Sequence, residues 1–251
     1  MRPPAAGTTP SGVPVLLDRA EELVAHLRTL SRAQLARIMA VSADLAARTQ
    51  EQYADWGTKA ERQTPAAETF VGDIYSGLRV DSFTPADREY ADAHLRILSG
   101  LYGLLRPFDG ISPYRLEMGY RLPPGTYASL YRFWGASIAE RLPAHGGIVN
   151  LAAGEYSKAV LPYVDADRVV TPKFLTADPA SGRPRFVVVH AKIARGAFAR
   201  WLVTGRVTDG VEAVHGFRDI GYRYDEALST PREPAFVCQE FGGKGLSVRL
   251  T

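Results

Sequence analysis

"RILSGLYGLLRPFDGISPYRLEMG", Arg96 to Gly119, sets Gly100 and Gly103 into an apolar turn and follows them with Arg-Pro, Tyr-Arg and a single glutamate. Apolar residues on both sides of the turn predict a packed helix pair. The stretch therefore reads as a helix-hairpin-helix-like element over residues 87–118. In such a module a glycine turn exposes backbone N–H groups at the start of the second helix, and these hold a phosphate without reading base sequence. Gly100, Tyr102, Gly103 and Arg106 are the candidates for that contact, with Arg115 as a further cation. The turn is one residue longer than the usual L-x-G-h-G form, and Pro107 blocks a long second helix. The competing reading is a tight corner between packed helices, with Arg106 solvated or ion-paired.

Outward from this stretch the texture of the chain divides. Upstream, "VLLDRAEELVAHLRTL" places Leu16, Leu17, Ala20, Leu23, Val24, Leu27 and Leu30 at helical spacing. Ser31 opens "SRAQLARIMAVSADLAARTQEQYADW", a second amphipathic helix or pair, and Thr84-Pro85 starts another with an acidic first turn. Residues 1–14 are rich in Pro, Gly and Thr and read as a flexible arm. Downstream, "GIVNLAAGEYSKAVLPYV", "RVVTPKFL", "RFVVVHAK" and "EPAFVCQEF" are short β-branched and aromatic runs bounded by Gly and Pro. A helix-like "IARGAFARWLVTG" interrupts them. The expected fold is a single α+β domain over residues 1–251, helical in its first half, with a mixed sheet drawn mainly from its second.

Composition narrows the function. The chain of 251 residues is 46% hydrophobic with a net charge of +3, short of the field expected of a nucleic-acid packager. Only "GRPRFVVVHAKIARGAFARWLVTGR", residues 182–206, is strongly basic, with six Lys/Arg and no Asp or Glu. No apolar run reaches 18 residues, so no membrane span is expected, and "MRPPAAGTTPSG" lacks the apolar core of a secretory signal. A single cysteine, Cys238, fits a reduced, cytoplasmic protein and leaves a thiol peroxidase without a resolving partner. The histidines at 26, 94, 145, 190 and 215 show no ligand spacing, so no metal site is expected. No phosphate loop, dinucleotide fingerprint or serine elbow appears, and no cofactor is expected.

Two further motifs carry chemistry. In "GEYSKAV" the strand-like "IVNLAA" delivers Glu155, Tyr156 and Lys158 at a sheet edge where ligands bind, as acid–base groups or an anion clamp. The bland alternative is a surface salt bridge opening a helix. In "HAKIARGAFAR" a strand ending at Lys192 would put Arg195 in the first turn of a helix, where a cation opposes the dipole unless an anion is bound. Arg200 follows five residues later; a solvated basic face is the alternative. Asp73, in "GDIYSGL", is a structural acceptor or a site carboxylate. Trp56, Trp134 and Trp201 sit in apolar helical contexts and are expected in the core.

Taken in order, "FVGDIYSGL", the Arg96–Gly119 stretch, "LYRFWG", "IVNLAAGEYSKAV", "HAKIARG" and "GFRDIGYRYDE" resemble the YaaA family of bacterial peroxide-stress proteins over about residues 16–240. The resemblance implies a mixed α/β fold, a positively charged cleft, a helix-hairpin-helix element at Leu98–Arg106 and DNA binding. It brings no securely attached reaction. Members usually begin with an apolar strand ending in a Ser-Pro-x-Lys-Thr-like segment, where this chain has "MRPPAAGTTPSGVPVLLDRAEEL"; Ala153 stands where a serine is usual. Either the start codon lies upstream or this is a diverged member. Two functions follow as expectations. One is nonspecific DNA binding through the hairpin, Lys192, Arg195 and Arg200. The other is an enzyme acting on a small anionic or nucleobase-like substrate through Asp73, Glu117, Glu155, Tyr156 and Lys158.

Overall fold

The computed structural model describes residues 1, 9–57, 63–123, 128–207 and 214–244, which form two compact units, each traced by several chain segments. The first unit comprises residues 1–70, 96–143 and 153–164. It opens with three helices: α1 (Leu17–Arg28), α2 (Arg32–Met39) and α3 (Ala43–Asp55). Serines set the starts of the second and third. Ser31 Oγ accepts the Gln34 N–H while Gln34 returns a bond to the Ser31 N–H, and Ser42 Oγ accepts from Leu45. The apolar stripe of α1 is buried through Ala20, Leu23, Val24 and Leu27, as its spacing requires. Each such leucine contributes about 2 kcal/mol by leaving water.

The deciding stretch follows a different course from the one its glycines suggest. Strand β2 (Ile97–Ser99) pairs antiparallel with β3 (Gly103–Leu105), so residues 97–105 form a β-hairpin and no second helix follows. The helix-hairpin-helix expectation is corrected here. A three-residue loop, Gly100 to Tyr102, runs into Gly103 at φ +67°, the left-handed residue such loops need. Ser99 Oγ accepts the N–H groups of Leu101 (3.2 Å) and Tyr102 (2.8 Å), satisfying the turn locally. Pro107 then forbids a helix, and β4 (Gly110–Ile111) pairs with β1 (Thr64–Pro65), which leads into α4 (Ala66–Thr69). Residues 9–14, read above as part of an arm, lie along this corner: Ser11 N–H donates to the Phe108 carbonyl and Gly110 N–H to that of Gly12. Residues 2–8 of the expected arm lie outside the described residues. Two short helices, α7 (Leu130–Trp134) and α8 (Gly154–Ser157), complete this unit.

The second unit, residues 71–95, 144–152 and 165–251, holds α5 (Asp73–Leu78), α6 (Pro85–His94), the pair β5 (Ile148–Val149) and β6 (Val169–Val170), and a four-stranded sheet. Its strands, β7 (Lys173–Ala177), β8 (Pro184–Arg185), β9 (Tyr222–Thr230) and β10 (Glu233–Cys238), run in the order β8-β7-β10-β9. β10 is parallel to β7 and antiparallel to β9, the mixed sheet the sequence predicts. Rows of opposed residues, Phe174–Phe236–Tyr224 and Thr176–Cys238–Tyr222, share one face by strand periodicity. Phe174, Phe236, Tyr222 and Cys238 form a core with Phe198, Ala194 and Phe217.

Helix α9 (Val188–Thr204) supplies that core, and its start departs from expectation. Val187 to Ala191 reads as strand by β-branching, yet Val188 already opens the helix. Burial of Ala191, Ile193, Ala194, Gly196, Ala197, Phe198, Ala199 and Val203 overrides the local propensity. α9 crosses α5 with the two backbones touching. A Cβ on Gly196 would overlap the Ile74 carbonyl oxygen, and one on Gly77 would overlap that of Ile193. Near the end of α9, Arg206 (φ +50°) pairs with Asp87 at 2.8 Å and lies over the Tyr90 ring at 4.8 Å, tying α6 to the helix end.

The crossing makes an opposed-sign prediction. Helix propensity alone would make Gly196→Ala stabilising by about 1 kcal/mol. The backbone contact reverses this, and urea unfolding should show a loss of about 2–4 kcal/mol. A variant as stable as the parent would mean that the helices do not touch there.

Candidate functional sites

The hairpin residues are occupied by the fold. Gly100, Tyr102 and Gly103 are buried, and Tyr102 Oη accepts from Trp56 Nε1 (2.8 Å) and the Ser112 N–H (3.0 Å). Burial pushes this phenol up to about 12. The Gly100 carbonyl accepts from Trp134 Nε1 at 3.1 Å, and Gly103 leaves space for the Trp134 ring and Leu16. Arg106 pairs with the buried Asp109 at 3.1 Å, under Gly12, so it braces the corner. Ser99 Oγ and Tyr114 Oη, 2.6 Å apart, close the network. Exposed N–H groups for a phosphate are not what this turn offers: those of Leu101 and Tyr102 already have an acceptor.

A different cluster in the same unit is open to chemistry. It gathers Arg115, Glu117 and Tyr120 from the chain beyond the hairpin, Tyr131 from α7, Glu155 and Tyr156 from α8, and Tyr53 from α3. Arg115 Nη2 donates to Glu117 Oε1 and to Tyr120 Oη, both at 3.3 Å, while Arg115 Nε is buried with no partner among the described residues. Tyr53 Oη donates to the Arg115 carbonyl, which fixes the backbone at that point. Gly119 N–H reaches Glu155 Oε1 at 3.4 Å, and Tyr131 Oη donates to the Glu155 carbonyl at 3.0 Å. Burial first, and then the Glu155 and Glu117 carboxylates, raise the Tyr156 phenol. Burial followed by Glu117 raises Tyr120, and burial followed by Glu155 raises Tyr131. Three neutral phenols beside two carboxylates and a guanidinium form a set of proton donors and acceptors. Of the predicted residues, Glu117, Glu155, Tyr156 and Arg115 come together here. Lys158, at the end of α8, is exposed and makes no ion pair among the described residues. Tyr53, Tyr120 and Tyr131 were missed by sequence reasoning; their spacing carries no signal, since they arrive from separate segments.

The remaining predicted residues belong to the second unit. Asp73 is buried at the start of α5. Lys192 and Arg195 lie three residues apart on α9, adjacent on its surface, but both are inside the helix. The expectation that Arg195 sits in a first turn is thus corrected, and free N–H groups play no part beside it. Lys192 is exposed. Arg195 is half-buried, has no hydrogen-bond or ionic partner among the described residues, and has its pKa lowered by desolvation. Arg200 pairs with Asp219. The basic run of residues 182–206 is thereby reduced: Arg185 pairs with Asp178, Arg200 with Asp219 and Arg206 with Asp87. Trp56 and Trp134 are core as expected, whereas Trp201 is only partly buried. Cys238 is fully buried and desolvation raises its thiol pKa.

The comparisons with known proteins agree with the resemblance. The family model described as peroxide stress protein YaaA matches residues 2–228. A UPF0246 protein of Salinispora tropica is 62% identical over 249 residues, covering 99% of this chain and 94% of the relative. UPF0246 proteins of Burkholderia lata and Burkholderia mallei are each 42% identical, over 226 and 229 residues, and the match covers 86% of this chain and 86% of either relative. The chain belongs to the peroxide stress protein YaaA family.

The tyrosine cluster can be read by alkaline titration. Tyr53, Tyr102, Tyr120, Tyr131, Tyr156 and Tyr222 are raised above the usual tyrosine value, so phenolate absorbance should show these phenols ionising late. A neutral phenol favoured by folding adds stability that is complete below about pH 10 and lost as pH rises through the folded value. Glu155→Gln removes one carboxylate facing Tyr131 and Tyr156, and both should then ionise at lower pH. An unchanged titration curve in that variant would show that Glu155 does not face them.

Proposed function

We propose that this protein serves peroxide-stress protection in the cytoplasm by binding a small anionic ligand at Lys192 and Arg195. The observation that carries the reading is Arg195, a guanidinium withdrawn from water with no acid beside it among the described residues. Desolvating a charge costs free energy unless a counter-charge offsets it, and a carboxylate or phosphate group would do so. Lys192, one turn away and exposed, adds a second positive donor on the same stripe of α9. Two cations on one helical turn suit a single phosphate or carboxylate. The Glu117–Glu155–Tyr156 cluster gives the chain the side chains of an acid–base enzyme.

Nonspecific DNA binding is the second reading. It is favoured by Lys192 and Arg183, exposed cations of the 182–206 run with no ion pair among the described residues. Against it stand the internal satisfaction of the hairpin amides and the pairing of Arg185, Arg200 and Arg206 with aspartates. A backbone grip needs several unneutralised cations along one track, because affinity scales with the phosphates neutralised.

Two titrations separate the readings. Calorimetry with inorganic pyrophosphate and with citrate should show saturable binding of at least one, weakened about tenfold or more in Arg195→Ala and further in the Lys192→Ala/Arg195→Ala variant. Fluorescence anisotropy with a labelled duplex should show little binding at about 150 mM salt. Failure of both anions to bind, or binding that survives the double substitution, would overturn the small-anion reading. Tight duplex binding that falls steeply between about 50 and 200 mM salt and is lost in the double variant would establish DNA as the partner.

A further inference from the structure

The C-terminal half of α9 borders a hollow of about 310 Å³, lined by Arg200, Trp201, Thr204, Gly216, Arg218 and Asp219. All six belong to the second unit. We infer that this hollow is a binding site for a small planar aromatic anion, distinct from the Lys192–Arg195 stripe.

The floor is an indole held rigidly from beneath. Trp201 packs on Phe198 (ring centroids 5.4 Å apart) and Phe217 (5.7 Å), both fully buried. Its benzo edge is left uncovered because residue 216 is glycine: a Cβ there would lie 3.3 Å from Trp201 Cζ2 and 3.7 Å from Cη2. The indole N–H has no partner among the described residues. An uncovered ring edge of this kind takes another ring in an edge-to-face contact.

The walls carry charge that the fold has not consumed. Arg200 is held by Asp219, while its Nε is buried and makes no hydrogen bond among the described residues. Asp219 is itself fixed, since its Oδ1 accepts the Ile220 N–H at 2.8 Å. Arg218 Nη1 donates to the carbonyls of His215 (2.7 Å) and Phe217 (3.0 Å), which anchors the guanidinium while leaving its remaining N–H donors free to bind. Two guanidiniums against one carboxylate leave the rim with a net positive charge. Arg pairs bidentately with planar oxyanions and stacks on rings, so a carboxylate on an aromatic ring meets both preferences at once. The volume is at the lower end for small-molecule sites, about 300–1,000 Å³, which suits one ring system rather than a polymer.

The test uses 4-nitrobenzoate, a planar aromatic anion whose nitro group also quenches tryptophan fluorescence, and 4-nitrobenzamide as its neutral counterpart. The full chain should show saturable quenching with the anion and at least about tenfold weaker binding of the amide, the scale of a lost charge-assisted contact. Arg218→Ala, an exposed position, should weaken the anion about tenfold, and Gly216→Val, which covers the indole edge, should abolish binding with the circular dichroism spectrum unchanged. Lys192→Ala should bind as the parent does, which separates this site from the anion stripe. No saturable binding, equal binding of acid and amide, or loss in Lys192→Ala but not in Arg218→Ala would each overturn the inference.

Discussion

The direct backbone contact between α5 and α9 is the constraint on which the second unit depends. At Gly77 and Gly196 neither helix has room for a methyl group, so the axes approach as closely as the backbones allow. Arg195, the neighbour of Gly196, is half-buried, and Asp73 lies one turn before Gly77 on the facing helix. With larger residues at either position the helices would have to separate.

In the first unit the same residue types that suggest a ligand site are consumed in holding a turn. Ser99, Tyr102, Tyr114, Trp56 and Trp134 exchange hydrogen bonds, and Arg106 with Asp109 closes the corner. Aromatic hydroxyls and an arginine beside glycines have two uses, and only the accounting of donors and acceptors separates them. The same accounting applied to residues 182–206 pairs three of the six cations with aspartates outside the run: Arg185 with Asp178, Arg200 with Asp219 and Arg206 with Asp87. Asp87, Asp178 and Asp219 are invisible to a count made within the basic run.

What was legible in the sequence follows from what is local. The apolar stripe of α1, the Ser31 and Thr84 helix starts, and the β-branched runs of β7 and β10 are each decided by neighbours a few residues away. The β-hairpin at Ile97–Leu105 misled because its apolar residues also satisfy helical spacing; Gly103 and the Ser99 side chain tip the balance. The start of α9 misled because its valines favour a strand, whereas burial of Ala191, Ile193 and Ala194 just beyond them selects the helix. The Arg115–Glu117–Glu155–Tyr156 grouping was half legible, since "RLEMG" and "GEYSK" both stood out, but Tyr53, Tyr120 and Tyr131 join it only through tertiary packing.

Protection against peroxide need not mean reaction with peroxide, and here the thiol argues for that separation. Cys238 is the single cysteine; it lies in the core row between Thr176 and Tyr222, with no exposed surface and a raised pKa. Attack on an oxidant requires a thiolate that solvent can reach, and burial suppresses both requirements together. The partly withdrawn Arg195 is the opposite case, a charge kept where its desolvation is unrepaid by any acid among the described residues. Burial leaves Cys238 unsuited to the role of a peroxidatic thiol, whatever other chemistry the chain performs.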